Sequence, residues 1–319
     1  MNRLYRDVAG PSLAPRGSAV CIGAFDGVHR GHQAVLACAH ERARAAGVAP
    51  IAVSFSPIPR VFFARDQAVP QLSSVREKVA ALLAAGMQHV LLLRFNAALA
   101  AISAGDFVAQ VLVARLHARE VWVGEGFRFG HGREGDVDLL RRHGRTHGFD
   151  VEVAPTFALD GERVSSSRIR VLLATGNFDV VARLLGRRFA IGGHVVRGAQ
   201  LGRKLGYPTA NLRLGTRAAP VGGVFAVHVH GVGAQAMPGV ASLGVRPTVN
   251  GTEPLLEAHL FDFDGDLYGR RIEVEFVQKL RDEEKFDSLD AMVRQIDRDA
   301  AAARDILCCG TTAATGAPM

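Results

Sequence analysis

The apolar positions of this chain fall into two textures. Up to about residue 184, short apolar runs alternate with longer stretches of helical spacing. SAVCIG, IAVSF, HVLLLRF, REVWVG and DVEVAP read as strands. Between them, HQAVLACAHERARAAG, SVREKVAALLAAG and AGDFVAQVLVARL place apolar residues every three or four positions, and the first two stop at glycine. This alternation predicts a parallel sheet covered by helices, with ligands at the carboxyl ends of its strands. After Leu185, AIGGHVVRG, GVFAVHVHGV, LLEAHLFDF and RIEVEFVQKL alternate apolar with polar residues and are punctuated by glycine, as in an antiparallel barrel or sandwich. A helix over SLDAMVRQIDRDAAAARDIL follows. The tail CCGTTAATGAPM (308–319) is small and polar, and disorder is expected there. The domains expected are therefore 1–184 and 185–307, then the tail.

A length of 319 residues suits two domains with real cores, and 48% hydrophobic with 22% charged residues is ordinary for a globular protein. No apolar run reaches the length of a membrane span, so no membrane partner is expected. MNRLYRDVAGPSLAPRG lacks the apolar centre of a signal peptide, which makes the cytoplasm the expected location. Cys21, Cys38, Cys308 and Cys309 show no metal-ligand spacing and suit a reducing compartment. The net charge of +7 is uneven: residues 1–184 hold 22 basic and 16 acidic side chains, residues 185–319 hold 16 and 15. Without a Lys/Arg block or interleaved aromatics, this excess points to anionic small molecules rather than nucleic acid.

Residues 23–32, GAFDGVHRGH, stand where the first strand gives way to the first helix. Exposed N–H groups and the positive end of the helix dipole make that junction a phosphate cradle. Gly23, Gly27 and Gly31 permit close approach of a ligand. His29 and His32 are suited to donate to phosphate oxygens or, as imidazolium, to offset charge at an α-phosphate under attack. A turn carrying one satisfied histidine is the plain alternative. The stretch resembles the HxGH signature of the nucleotidylyltransferase superfamily in its GxFDGxHxGH form. VSSSRIR (164–170) resembles the loop that grips the outgoing pyrophosphate in that superfamily, with Ser165, Ser166 and Arg168 as donors.

A second glycine-rich stretch, GAQLGRKLGYPTAN (198–211), lacks the Ser/Thr that a GxxxxGK[ST] loop places after its lysine. Thr209 and Asn211 are hard oxygen ligands of the kind Mg²⁺ prefers. Glu257 lies among apolar residues in a predicted strand, either as a solvent-facing residue or as a general base. Asp262, Asp264 and Asp266 fit a hairpin turn better than a calcium loop. These stretches, with GVRPT, ExHLxDFxGDLYG and LRxExKF, resemble the riboflavin kinase domain. With the HxGH half, the order of motifs over residues 15–307 is similar to that of the bacterial bifunctional riboflavin kinase/FAD synthetase family.

That resemblance implies a Rossmann-like α/β nucleotidylyltransferase domain, then a β-barrel kinase domain with a C-terminal helix. The implied chemistry is phosphorylation of riboflavin by ATP to FMN, then adenylylation of FMN to FAD with release of pyrophosphate. By the same resemblance, Thr209 and Asn211 hold Mg²⁺ with ATP, and Glu257 is the base. Gly198, Gly202, Lys204, Gly206 and Pro208 line the kinase nucleotide loop, and Arg281 and Glu283 lie near the flavin. Gly23, Phe25, Asp26, Gly31, Ser165 and Ser166 belong to the adenylyl site, with His29, His32 and Arg168 as its catalytic groups. The chain departs from the family pattern at Ile58 in SFSPIPRVFF (usually His), at Gly126 in VGEGFRFG (usually Asp or Asn) and at Ser242 (often Asn). The alternative these leave is a riboflavin kinase with a weak or regulatory adenylyltransferase half. Intact catalytic positions argue against a nucleic-acid-binding or flavin-sensing regulator.

Overall fold

The computed structural model describes residues 3–64, 68–198, 202, 205–215, 218–248 and 251–310. They form two compact units, one of Met1–Val69 with Ser73–Ser166, the other of Pro70–Leu72 with Ser167–Met319.

The first unit is built on six parallel strands: β1 (Leu4–Tyr5), β2 (Ser18–Ile22), β3 (Ala49–Ser56), β4 (His89–Arg94), β5 (Ala118–Gly124) and β6 (Asp150–Ala154), in the order β1-β4-β3-β2-β5-β6. Every residue of β2 is buried, which is why SAVCI carries no alternation: both faces of a covered parallel sheet are core. β1 is too short to leave a periodic signal. The helix Arg30–Ala46 buries Leu36, Ala39 and Ala43 and stops at Gly47, whose φ of 64° is left-handed. The helix Val75–Ala84 begins with a reciprocal Ser74/Glu77 capping box. AGDFVAQVLVARL departs from its α-helical expectation. Ala104–Phe107 is α-helical, but Val108–Arg115 widens to a π-helix that ends with Leu116 N–H donating to the Val111 carbonyl (3.1 Å). A two-strand hairpin, β7 (Ala158–Leu159) and β8 (Glu162–Arg163), leads into VSSSRIR.

The second unit is a closed antiparallel barrel, β9 (Ala190–Val196), β10 (Ala210–Arg213), β11 (Gly223–His230), β12 (Met237–Thr248), β13 (Gly251–Leu260) and β14 (Arg271–Arg281), ordered β10-β13-β12-β11-β14-β9. β9 pairs with both β10 and β14, and that closure leaves no free edge. Phe225 and Phe276 meet edge to face at 5.0 Å in the core. The C-terminal helix lays Ala300, Ala303 and Leu307 on Val224, Val240 and Phe261.

The compact barrel unit takes in the residues from Ser167 onward: Phe178 of the helix Phe178–Leu185 packs on Phe225 (5.8 Å) and Phe276 (6.1 Å). The C-terminal helix runs from Leu289 to Gly310, so residues 308–310 continue it, and the rest of the expected tail lies outside the described residues.

Candidate active sites

In the first unit, β2 delivers GAFDGVHRGH to the carboxyl edge of the sheet. The Gly23 N–H donates to the Val53 carbonyl (3.1 Å), and then Phe25 (φ 47°), Gly27 (φ 81°) and Val28 (φ 41°) take left-handed backbone conformations. Such conformations are costly for Phe and Val, and both side chains are buried to 2% exposure, which offsets the strain. His29 is the N-cap of the following helix: its Nδ1 accepts from the His32 N–H (3.3 Å). The two imidazoles stack with centroids 3.6 Å apart, and Phe25 meets the His32 ring edge-on at 5.2 Å. A side chain at Gly31 would press on the His29 ring, so glycine keeps the stack open.

Burial first, then the charges of His29 and Lys78, hold the His32 pKa well below the ordinary histidine range. His32 is therefore neutral at pH 7. Of the two forms expected for it, this favours the neutral hydrogen-bonding ring over the imidazolium. Its Nδ1 is buried with no partner among the described residues.

Asp26 is buried to 2% exposure, and its carboxylate accepts the Ser73 N–H (3.2 Å). The Ser73 hydroxyl accepts from Gly27 N–H (3.1 Å). The Asp26 carbonyl accepts the Ser166 hydroxyl (3.0 Å), which joins VSSSRIR to GAFDGVHRGH. Ser165 precedes the helix Ser166–Ala174, and Arg168 lies in that helix's first turn, inside the second compact unit. Gly126 stands just past β5 with open space around it, and the neighbouring Glu125 carboxylate accepts from Thr156 (2.6 Å). Sequence reasoning missed Lys78, a lysine of 4% exposure in an otherwise ordinary amphipathic helix.

In the barrel, register does the assembling. Asn211 on β10 lies directly opposite Glu257 on β13, and Glu257 lies opposite Ser242 on β12. Opposed residues share a face, with Cβ atoms about 5 Å apart. A cavity of about 510 Å³ is lined by Gly198, Pro208, Thr209, Asn211, Asp264 and Tyr268. A second, of about 540 Å³, is lined by Gly202, Thr209, Ser242, Glu257, Arg281 and Glu283, among others. Thr209 lines both. The Asn211 amide nitrogen donates to the Thr209 carbonyl (3.2 Å) and hydroxyl (3.3 Å), and its Oδ1 is buried without a partner among the described residues. Gly198 approaches that oxygen so closely that a Cβ there would meet it at 2.7 Å. The Gly202 carbonyl accepts from Leu205 (3.0 Å) and Tyr207 (2.8 Å), and Gly206 turns with φ 86°. Lys204 lies outside the described residues.

Arg281 is held by Asp299 of the C-terminal helix, with Nε 3.0 Å from both carboxylate oxygens and Nη2 2.8 Å from one. Gln295 donates to the same carboxylate (3.0 Å). Asp299, buried to 6% exposure, escaped sequence reasoning because one carboxylate in a charged amphipathic helix carries no signal. The Glu283 carboxylate presses against Gly244, where any side chain would collide with it. Among the described residues no three His, Cys, Asp or Glu side chains cluster as a metal site, and no helix is long and apolar enough to cross a membrane.

Comparison with known proteins finds a match in each half of the chain. The FAD synthetase family model matches residues 12–168 and the riboflavin kinase family model matches residues 185–307. A bifunctional riboflavin kinase/FMN adenylyltransferase of Escherichia coli K12 is 44% identical over 95% of this chain and 97% of its own. The chain belongs to the bifunctional riboflavin kinase/FMN adenylyltransferase family. A Pseudomonas fluorescens relative with the same two activities in its name is 49% identical over 91% of this chain and 93% of its own. A crystal structure of a protein described as a macrolide-efflux protein from Streptococcus pneumoniae superposes with a TM-score of 0.77 and 29% identity, covering 94% of this chain and 98% of that one. As a family member, the chain phosphorylates riboflavin to FMN with ATP and adenylylates FMN to FAD. Both activities stand in the relatives' names, which favours the bifunctional enzyme over a kinase alone.

Proposed function

We propose that the two activities use two separate sets of side chains, the kinase set in the barrel and the adenylyltransferase set around GAFDGVHRGH. In the barrel, ATP takes the cavity at Asn211 and riboflavin takes the cavity at Glu257, and the γ-phosphate passes between them at Thr209. The observation that carries this is the cross-strand pairing of Asn211 with Glu257 beside a threonine common to both cavities. Glu257 accepts the proton of the riboflavin 5′-hydroxyl as its oxygen bonds to the γ-phosphorus and the bond to the β-phosphate oxygen breaks, releasing ADP. Arg281, fixed by Asp299, and Glu283 orient the flavin.

The orphaned Asn211 Oδ1 and the Thr209 hydroxyl are neutral oxygen donors that fit Mg²⁺ carried in with ATP phosphates. When bound, the ion neutralises charge on the β- and γ-phosphates. Asn211 and Thr209 would hold it, and Gly198 gives the nucleotide room beside them.

In the adenylyl site the FMN phosphate oxygen attacks the α-phosphorus of a second ATP, and the bond to pyrophosphate breaks. No protein nucleophile is required, so the chain only aligns and stabilises. His29 and His32 donate to the phosphates, while Ser165, Ser166 and Arg168 hold the leaving group. Gly23, Phe25, Asp26 and Gly31 shape the cradle. The three free cysteines among the described residues and the ATP substrate suit work in the cytoplasm.

The test is separation by mutation. Glu257→Gln should lower riboflavin phosphorylation by roughly 10²–10⁴-fold while supplied FMN is still converted to FAD. His32→Ala should do the reverse, with FMN accumulating from riboflavin. Loss of both steps from either substitution in a folded protein overturns the two-set reading.

A further inference from the structure

One buried charge near the adenylyl site has no part in the chemistry above. Lys78 lies one turn into the helix Val75–Ala84, is 4% exposed, and donates from Nζ to the Phe55 carbonyl (3.2 Å) at the end of β3. The residue before this helix's cap, Ser73, is bonded twice to the Asp26–Gly27 turn. One short segment thus grips two neighbours at the carboxyl edge of the sheet: Ser73 holds the loop after β2, and Lys78 holds the end of β3.

A buried ammonium is costly, and a methionine would fill the same volume without that cost. What lysine adds is charge. Asp26 acts on Lys78; His29 and Lys78 act on His32. Burial brings the Lys78 pKa down to about 8, with Asp26 opposing the fall, so the ammonium stays charged at pH 7.

We propose that Lys78 is a positioning residue for FMN adenylylation, tying β3 to the Asp26 loop and supplying the positive field in which His32 works, without touching substrate. The proposal rests on GAFDGVHRGH being the adenylyl site. Burial is the main cause of the lowered His32 pKa, and the Lys78 field adds to it, further opposing protonation while phosphates gather around the ring.

Full-length Lys78→Met and Lys78→Arg variants test this, with FMN-to-FAD and riboflavin-to-FMN rates measured from the same preparations across pH. In Lys78→Met, FAD formation should fall by about 10- to 100-fold, as expected for a misplaced catalytic loop, with phosphorylation within about twofold of wild type. The acid limb of FAD formation should move to higher pH, because His32 then protonates more readily. Lys78→Arg should restore most of the rate and the wild-type profile. A soluble Lys78→Met with wild-type rate and pH profile overturns the proposal. Should that variant not fold, Lys78→Gln takes its place under the same criteria, and ¹⁵N-histidine NMR should show its His32 titrating higher than in the wild type; an unmoved His32 titration overturns the proposal. His32→Ala separates the two readings. Undiminished FAD formation there refutes the site itself, whereas its collapse beside an unaffected Lys78→Met refutes only the role of Lys78.

Discussion

The Ser166 hydroxyl donates to the Asp26 carbonyl at 3.0 Å across 140 residues of sequence. That single bond joins the loop after β2 to the loop after the β7–β8 hairpin, the two stretches proposed to hold the phosphates. Ser166→Ala should lower FAD formation by up to about tenfold, since a lost hydrogen bond of this kind is worth roughly 0.5–1.5 kcal/mol. Riboflavin phosphorylation should hold. Steady-state rates with supplied FMN check this, and an unchanged rate shows that the two loops keep their places without the bond.

Asp299 turns Arg281 from a flexible chain into a fixed wall of the cavity that Glu257 lines, the proposed riboflavin site. Asp299→Asn keeps the shape and removes the charge, at a cost of about 1–3 kcal/mol. The KM for riboflavin should rise about tenfold with a smaller change in kcat, and thermal melting should fall by several degrees. A change confined to kcat would mean that Arg281 acts on the reacting phosphate instead.

Gly126 has nothing within 4 Å of the position a Cβ would take, and its backbone is not left-handed. A carboxylate therefore fits there. It would stand beyond β5, the neighbour of β2, on the edge that carries the histidines. Gly126→Asp should raise FAD formation by roughly 2- to 10-fold if a missing polar ligand limits that step, the effect of about one added hydrogen bond. An equal or lower rate, with the fold intact by circular dichroism, assigns the task to Glu125 or to no side chain here.

The buried lysine gives a pH dependence of unusual sign. Lys78 titrates at about 8 in the folded protein against 10.5 when exposed. Between those values the unfolded chain binds the extra proton, so stability rises with pH across the window, and below about pH 8 the penalty for burying the charge is fully present. Comparison of wild type with Lys78→Met in urea at pH 7 and at pH 10 isolates this group. The wild type should gain up to roughly 3 kcal/mol relative to the variant over that range. A constant difference would place the Lys78 ammonium in water.

Much of the molecule was legible before any coordinates. The two textures are local properties: period 3.6 and buried apolar runs in one half, period 2 with glycine punctuation in the other. They foretold the parallel sheet and the β-rich half because solvent acts on each element separately. GAFDGVHRGH and PTAN were legible for a similar reason, since a tight loop at a strand end needs its glycines in a fixed local order. What only tertiary structure decided are relations between distant residues. Strand register set Asn211 opposite Glu257, closure by β9 made a barrel rather than a sandwich, and the helices before residue 185 went to the barrel because Phe178 found Phe276. The burial of His32 and Lys78 and the Arg281–Asp299 pair were likewise invisible. A protonation state or an ion pair depends on what removes water from a side chain, and those neighbours come from elements that sequence spacing alone does not bring together.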